Sequence, residues 1–467
     1  MSYSRSELRA FLLLFFLAFG CSILGAEASP AEAERGELRS WAIGPGRIRK
    51  AYDALPRSDG GLWMVASPMR KEGGGRTPAE LSRWAAGGRL LWARTIVDSL
   101  PIDIRFHLVA EPDGEVVVAG QSGGALRMWR FSEAGDLLWG QQLATDPTNP
   151  DELVAADGKG GLYVALRLPP SRRGRSDQPE IAAGEARIFH YSEKGVLLQS
   201  YSLQAVPEER QPGERWLPSG ALGIQNPIAI AASPAGGIAV VGYFAGLSAV
   251  APSPGQGVPK ERLDYGWLSS GGGGMPQVKI FVDRWDESGR RLWSRLFGSM
   301  WNNLAFAVAS AKNGAVAIAG SSEWGACPDG RPLRPAGLRL FVAEYGVDPA
   351  ASPGWCREVE RNLSIGPMAI GYDVDGGLWL IGEAKGPLVS GEPLSQGGRV
   401  FLAKLDPAGR VQWKRQVGEG TSRPFAHIAF GPEDHPTVAW STAALGSLHR
   451  SQEGETVSVA LLPQGLP

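Results

Sequence analysis

Residues 399–417 read R-V-F-L-A-K-L-D-P-A-G-R-V-Q-W-K-R-Q-V. Apolar and polar residues alternate on both sides of Asp406-Pro407-Ala408-Gly409, the period of a half-buried strand. Pro407 presets φ, and Gly409 takes the positive φ that ends a tight hairpin. The stretch predicts two short strands, 400–405 and 410–417, and a companion hairpin precedes it in A-I-G-Y-D-V-D-G-G-L-W-L-I-G at 369–382. Four strands in series make a small antiparallel sheet that cannot bury both faces alone, so copies of it must stack.

Seven copies are legible. Their first hairpins are S-D-G-G-L-W-M-V-A-S (58–67), P-D-G-E-V-V-V-A-G (112–120) and G-K-G-G-L-Y-V-A (158–165). P-A-G-G-I-A-V-V-G (234–242), K-N-G-A-V-A-I-A-G (312–320), V-D-G-G-L-W-L-I-G (374–382) and P-E-D-H-P-T-V-A-W (432–440) follow. The second strand of each pair is so apolar that both its faces must be covered. In the second hairpins a Gly with a Trp four residues on recurs at Gly88/Trp92, Gly135/Trp139, Gly289/Trp293 and Gly409/Trp413. The third copy has Gln199 in place of Trp, and the fifth has a longer turn ending at Trp355. The seventh copy stops after residues 456–463 without an outer strand, whereas E-L-R-S-W-A-I at 37–43 reads as an orphan outer strand. Ring closure resolves both, with the strand at about 36–44 joining the last blade and removing exposed edges. Blades are expected at about 49–97, 104–144, 151–204, 226–297, 303–359, 362–418 and 424–467 plus 36–44.

The phrases F-L-A-K-L-D-P-A-G-R-V-Q-W (401–413) and V-D-R-W-D-E-S-G-R-R-L-W (282–293) resemble the SBBP family, seven-bladed β-propeller repeats common in exported bacterial proteins. The resemblance covers roughly residues 50 to 467 and implies an all-β, seven-bladed propeller of four-stranded blades; it marks architecture rather than activity. The repeat is also similar to the tryptophan-docking repeat of quinoprotein (PQQ) propellers. That pattern carries a Thr before its Gly and a longer turn, and neither is present at Asp406 to Gly409.

Composition agrees with an all-β chain and narrows the partners. Gly is 63 of 467 residues, about twice the usual share. Lys plus Arg number 47 against 48 Asp plus Glu, so no basic excess exists to neutralise phosphates, and nucleic acid is not an expected partner. Arg5 and Arg9 precede an apolar run at 10–20 that suits a signal-peptide core and is short for a span. Residues 1–28 are therefore expected to be a signal peptide and 29–35 a linker. Two cleavage readings stand. Ala26-Glu27-Ala28 suits ordinary signal peptidase, while Ala18-Phe19-Gly20-Cys21 resembles a bacterial lipobox, which would leave Cys21 lipidated. Either way the body is exported, to the periplasm or medium or on an N-terminal lipid anchor at the outer membrane, and a monomer is expected. Export leaves Cys327 and Cys356 as an even pair in an oxidising compartment; a disulfide between them would contribute about 3 kcal/mol, and two free thiols are the alternative.

With strands A to D running outward from the axis, the A–B and C–D turns share one face, and the B–C and D–A connections share the other. The long irregular segments, 167–186, 205–226, 244–277, 323–338 and 384–398, all belong to the second face, which is the expected binding surface. Its candidate residues are Tyr243, Phe244, Asp264, Tyr265, Trp267 and Trp324, whose rings could stack on a sugar, a peptide or a partner side chain. No catalytic, cofactor-binding or metal-binding residue is expected. Gly120-Gln121-Ser122-Gly123-Gly124 matches a nucleophile elbow in letters but lacks the strand-to-helix context. The five histidines show no ligand spacing, and Asp373-Val374-Asp375-Gly376 reads as a plain turn rather than a calcium loop. The expected function is a non-catalytic binding or scaffold module of the bacterial cell envelope, engaging a protein, peptide or glycan. The alternative is a propeller enzyme acting on carbohydrate, or a quinone-dependent dehydrogenase relative. An enzyme would need converging carboxylates among Asp264, Glu323, Asp329 and Glu392.

Overall fold

One turn, repeated, builds the molecule. In a computed structural model of the chain, Asp406 N–H donates to the Arg410 carbonyl and Gly409 N–H donates back to the Asp406 carbonyl. This is a type I turn closed by a bulge glycine of positive φ, the hairpin connection whose twist matches its strands. The same first-to-fifth bond closes every described A–B turn and the C–D turns of blades 1 to 4 and 6. The structure describes residues 39–43, 47–68, 78–97, 106–111, 113–122, 125–142, 153–167, 186–203, 216–217, 225–248, 275–297, 303–322, 339–347, 354–361, 363–384, 398–420, 426–430, 436–442 and 456–462. Ser40–Leu461 form one compact unit.

After β1 (Arg39–Ile43), blade 1 comprises β2 (Ile48–Pro56), β3 (Leu62–Pro68), β4 (Ala79–Trp84) and β5 (Leu90–Val97). Blade 2 comprises β6 (Phe106–Ala110), β7 (Val116–Ser122), β8 (Ala125–Phe131) and β9 (Leu137–Gln142). Blade 3 is β10 (Leu153–Ala156), β11 (Leu162–Arg167), β12 (Ala186–Tyr191) and β13 (Leu197–Leu203). Blade 4 adds a short β14 (Trp216–Leu217) to β15 (Gln225–Ala232), β16 (Ile238–Ser248), β17 (Met275–Trp285) and β18 (Arg291–Phe297). Blade 5 is β19 (Asn303–Ser310), β20 (Val316–Ser322), β21 (Arg339–Tyr345) and β22 (Trp355–Arg361). Blade 6 is β23 (Leu363–Tyr372), β24 (Leu378–Ala384), β25 (Gly398–Leu405) and β26 (Val411–Gly420). Blade 7 holds β27 (Ala426–Phe430), β28 (Pro436–Thr442) and β29 (Thr456–Leu461), and β1 pairs with β29 as its fourth, outer strand.

The protein is a seven-bladed β-propeller of four-stranded antiparallel blades, closed by its first strand as the sequence predicts. The innermost strands touch in the cycle β2, β6, β10, β15, β19, β23, β27 and back to β2. The second strands lie between neighbouring blades, so Val116 to Ala119 and Val316 to Ala319 are fully buried. Hydrophobic clusters sit at the blade interfaces; one joins Trp63 and Leu81 of blade 1 to Phe106 and Val118 of blade 2. The closing interface joins Ile43 and Val459 of blade 7 to Leu62 and Trp84 of blade 1.

At Trp92, Trp139 and Trp355 the Trp of one blade and the turn glycine of the next are two halves of one inter-blade contact. Trp92 Nε1 donates to the Glu133 carbonyl of the next blade (3.2 Å), and its ring lies against Gly135. Trp139 donates likewise to Glu193 (2.8 Å) and Trp355 to Pro407 (3.1 Å), in each case the residue two before the turn glycine. Blade 3, which lacks the Trp, divides the task. Gln199 Nε2 donates to the Glu287 carbonyl (2.6 Å), while the Tyr201 ring covers Gly289. At the closure Trp41 of β1 lies against Gly88, so the closing strand brings its own docking ring. Blade 7 has no continuous C–D turn, because its outer strand comes from the other end of the chain, and the buried Nε1 of Trp413 in blade 6 has no hydrogen-bond partner.

Two expectations need correction. The 244–277 insertion is shorter than its composition suggests: β16 runs on to Ser248 and β17 starts at Met275, pairing Phe244 with Lys279 and Ser248 with Met275. Residues 205–226 are not wholly irregular either, since Trp216 and Leu217 pair with Ser248 and Leu247 beside the upper half of β16. The extended hairpin supplies the edge that makes a two-residue strand possible.

Candidate functional site

The two ends of the wheel differ. At one end lie the A–B and C–D turns, five residues each in every described A–B turn and in the C–D turns of blades 1 to 4 and 6, and interlocked by charge. Arg57 and Arg83 both reach Glu133 of the next blade (3.1 and 2.6 Å), and both guanidinium groups lie over Trp63. Arg130 pairs with Glu115 and donates to the carbonyls of Gly160 and Glu193 in blade 3. Lys159 pairs with Glu287 of blade 4 (2.5 Å), and Arg357 donates to the Ala408 carbonyl of blade 6. Asp373 accepts from Gly377 N–H and Trp379 Nε1, a turn cap as its sequence implies. This end is fixed by contacts the molecule makes with itself.

The other end receives the B–C and D–A connections. Tyr243 lies there in β16, half-buried and paired with Ile280 and Asn226, and Phe244 follows in the same strand. Both belong to strands rather than to a loop. Asp264, Tyr265, Trp267, Trp324, Cys327 and Cys21 fall outside the described residues, as do Glu323, Asp329 and Glu392. Cys356 is buried in β22 opposite Ala343 and is disulfide-bonded; its partner also falls outside them. Gln121 and Ser122 pair with Leu126 and Ala125 across a short B–C hairpin, which gives Ser122 no helix and no elbow.

One side-chain constellation went unnoticed in the sequence. Asp53, His107 and His427 each face the fourth residue of their blade's second strand, namely Val65, Ala119 and Ala439. The same level in blades 3 to 6 holds Leu153, Ala229, Ala307 and Ala369. The innermost ring is thus polar across blades 7, 1 and 2 and apolar elsewhere. Asp53 is buried. Its carboxylate contacts His427 Nε2 (2.7 Å) and accepts from the N–H groups of Leu108 (2.7 Å) and Ala54 (2.9 Å), so one side chain ties three blades. Burial works to raise the carboxyl, but His427, by charge and hydrogen bond, with His107 and the Leu108 N–H, holds it below the ordinary carboxylate value. Burial works to lower His427, and Asp53 overcomes it and holds the imidazole above its ordinary value. Separations of 374 and 55 residues hid this cluster. Among the described residues no group of three or more His, Cys, Asp or Glu is placed to hold a metal ion.

Glu111, first residue of the blade 2 A–B turn, is the other unusual group. Asp157 in the equivalent place folds back on its own turn, accepting from Lys159 and Gly161 N–H. Glu111 carries one more methylene; it is 4 % exposed, and neither carboxyl oxygen has a hydrogen-bond partner. Burial pushes its pKa up to about 8, Arg130 opposes this, and Asp157, Asp113 and Glu115 reinforce it. A carboxyl raised in the folded state stabilises fully below its unfolded value of 4.5, and that stability is lost as pH rises through about 8. Glu111→Gln, which mimics the neutral acid, is therefore expected to match wild type near pH 5. At pH 9 it should exceed wild type by an amount on the order of 4 kcal/mol. Urea midpoints at the two pH values check this, and a difference that does not change with pH contradicts it.

No protein-family model matches the chain, and no curated protein matches it. Among solved structures it is similar to the structure titled YCF48 bound to D1 peptide, at 14 % identity and TM-score 0.44, covering 92 % of this chain and 96 % of that one. It is also similar to the Neurospora crassa Pan2 WD40 domain, at 7 % identity and TM-score 0.42, covering 91 % and 90 %. A Bacteroides caccae protein of unknown function matches at 13 % identity and TM-score 0.34, covering 76 % and 93 %. The chain is identified by its architecture: a seven-bladed β-propeller closed by its amino-terminal strand.

Proposed function

We propose that this chain is a non-catalytic binding propeller of the SBBP type, exported to the bacterial cell envelope, which engages a protein, peptide or glycan through the end that carries its B–C and D–A connections. One observation carries the reading, the contrast between the two ends. Turns of five residues, cross-bonded from blade to blade, occupy one end. Connections of very unequal length, 168–185, 249–274, 323–338, 385–397 and 443–455 among them, leave from the other. A wheel whose long connections, the blade 5 C–D turn aside, gather on one side is how a scaffold presents a surface. Tyr265, Trp267, Trp324 and Asp264 in those connections, with Tyr243 and Phe244 of β16, are the proposed contacts.

Crosslinking and co-purification from envelope fractions test the reading, with a variant whose 249–274 segment is replaced by a short Gly-Ser linker as control. A partner retained by wild type and lost with the variant supports it. Turnover of sugars or alcohols by the purified protein contradicts it. Export is proposed to leave Cys21 lipidated at the mature amino terminus, and Cys327 is the proposed partner of Cys356. Intact-mass analysis should find a diacylglyceryl group on Cys21, whereas a free terminus near Glu27 to Ser29 would mean simple secretion. Non-reducing peptide mapping should join the peptides of Cys327 and Cys356.

A further inference from the structure

The innermost strands enclose an axis, and that axis is open. β2, β6, β10, β15, β19, β23 and β27 touch in a closed cycle, each with its second strand behind it and a neighbouring blade against either face. The side left to water is the axis. Leu153 and Val154 of blade 3, Ala229 and Ile230 of blade 4, and Ala369 and Ile370 of blade 6 are half-buried, whereas the second strands behind them are buried. Apolar surface therefore stays exposed inside the ring, and a ligand with an apolar body would cover it.

Charge on these strands is confined to one sector. β6, β10, β15, β19, β23 and β27 contain no Asp, Glu, Lys or Arg, and β2 contains Arg49, Lys50 and Asp53. Asp53 is withdrawn from the opening: its side chain is 3 % exposed, and both oxygens accept hydrogen bonds within the wall. What the sector presents is imidazole. The His427 side chain is 31 % exposed, His107 is half-buried, and Asp53 behind His427 favours its charged form. Lys50 is exposed, with Nζ 4.9 Å from the centre of the Tyr52 ring. It faces Ser67 where Asp53 faces Val65, which puts it nearer the end that receives the D–A connections. An anion entering from that end meets Lys50 first and the imidazoles next, with no exposed carboxylate on the described innermost strands.

We propose that the axial channel binds a small organic acid with an apolar body, its carboxylate against His427 and His107 and its hydrocarbon along the innermost strands of blades 3 to 6. Two features select this class. A carboxylate gains a charge-assisted hydrogen bond from an imidazolium that a neutral head does not. The apolar wall opposite rewards burial of hydrocarbon and penalises a polar tail. The wheel itself builds this site, whereas the proposed partner surface belongs to the connections, so the two can fail separately.

The test uses the full chain and hexanoate as probe, with the imidazole C–H signals of the histidines read by NMR at about pH 6.5. Saturable shifts are expected at His427 and His107, and none at His190, which is bonded to Asp157 at the turn end. Hexanamide, the neutral counterpart, and acetate, which lacks the body, should each bind tenfold or more weakly. His427→Gln can still donate to Asp53 but carries no charge, and it should weaken hexanoate by a similar factor. The variant with the 249–274 linker should bind hexanoate as wild type does. If His427→Gln does not fold, the wild-type shifts and the hexanamide comparison still decide. Absence of a saturable shift at His427 and His107, or hexanamide binding as tightly as hexanoate, would overturn the proposal. Loss of binding in the linker variant would also overturn it, because the acid would then sit among the connections.

Discussion

Gly135→Ala is expected to destabilise the propeller by about 3 kcal/mol, roughly 1 from forcing alanine into positive φ and the rest from overpacking. A Cβ on Gly135, whose φ is +88°, would fall 2.9 Å from two atoms of the Trp92 ring, which is held in place by its bond to the Glu133 carbonyl. Gly376 supplies the control. It occupies the same turn position with φ +81°, and a Cβ there meets nothing within 4 Å. Gly376→Ala should cost only the backbone part, about 1 kcal/mol. The difference between the two denaturant midpoints measures the docking contact. Equal losses would mean that the glycines serve only their turns and that the inter-blade contact is incidental.

The second large effect is expected at Asp53. Asp53→Asn keeps the shape but leaves His427 without its counter-charge, and breaking a buried pair from one side costs about 3–5 kcal/mol. The pH dependence identifies the mechanism. Asp53 is depressed below its unfolded value of 3.8, so its contribution is present above that value and lost as pH falls through the folded one. His427 is raised above 6.5, so its contribution is complete below 6.5 and is lost as pH rises through the folded value. The penalty of Asp53→Asn should therefore be largest near pH 5 to 6 and shrink by pH 9. In the variant the His427 imidazole should titrate below 6.5, where burial alone would put it. A penalty that is flat with pH, or a His427 midpoint that does not fall, would assign Asp53 to neutral hydrogen bonding.

Much of this fold was legible because its determinants are local. The glycine of each turn, the strand alternation around 399–417 and the fully apolar second strands all act within a dozen residues. Ring closure was legible for a different reason: blade 7 lacked a strand and residues 37–43 had no blade. The reason for Trp92 and Trp139, each four residues after a Gly, was not legible, because the ring docks on the glycine of the following blade and not on its own. Gln199 and Tyr201 show why pattern alone fails there. Two residues reproduce one indole, the amide supplying the N–H and the phenol the ring, and neither resembles Trp in sequence. The strand extension past Phe244 escaped because it depends on pairing with residues 275–279, across a segment that sets no register of its own. Asp53, His107 and His427 escaped for the reason that makes them informative. They meet only once the first, second and last blades are brought round the axis.

Closure of the wheel by β1 is the claim on which the rest depends, and hydrogen exchange on the intact protein tests it most directly. If β1 is the outer strand of blade 7 and Trp41 docks on Gly88, bonded amides among Ser40 to Ile43 should be protected like those of β5 and β26, and Trp41→Ala should release them. Exchange of all of these amides within seconds in the wild-type protein, with β28 and β29 still protected, would mean that the ring is closed by something other than its first strand.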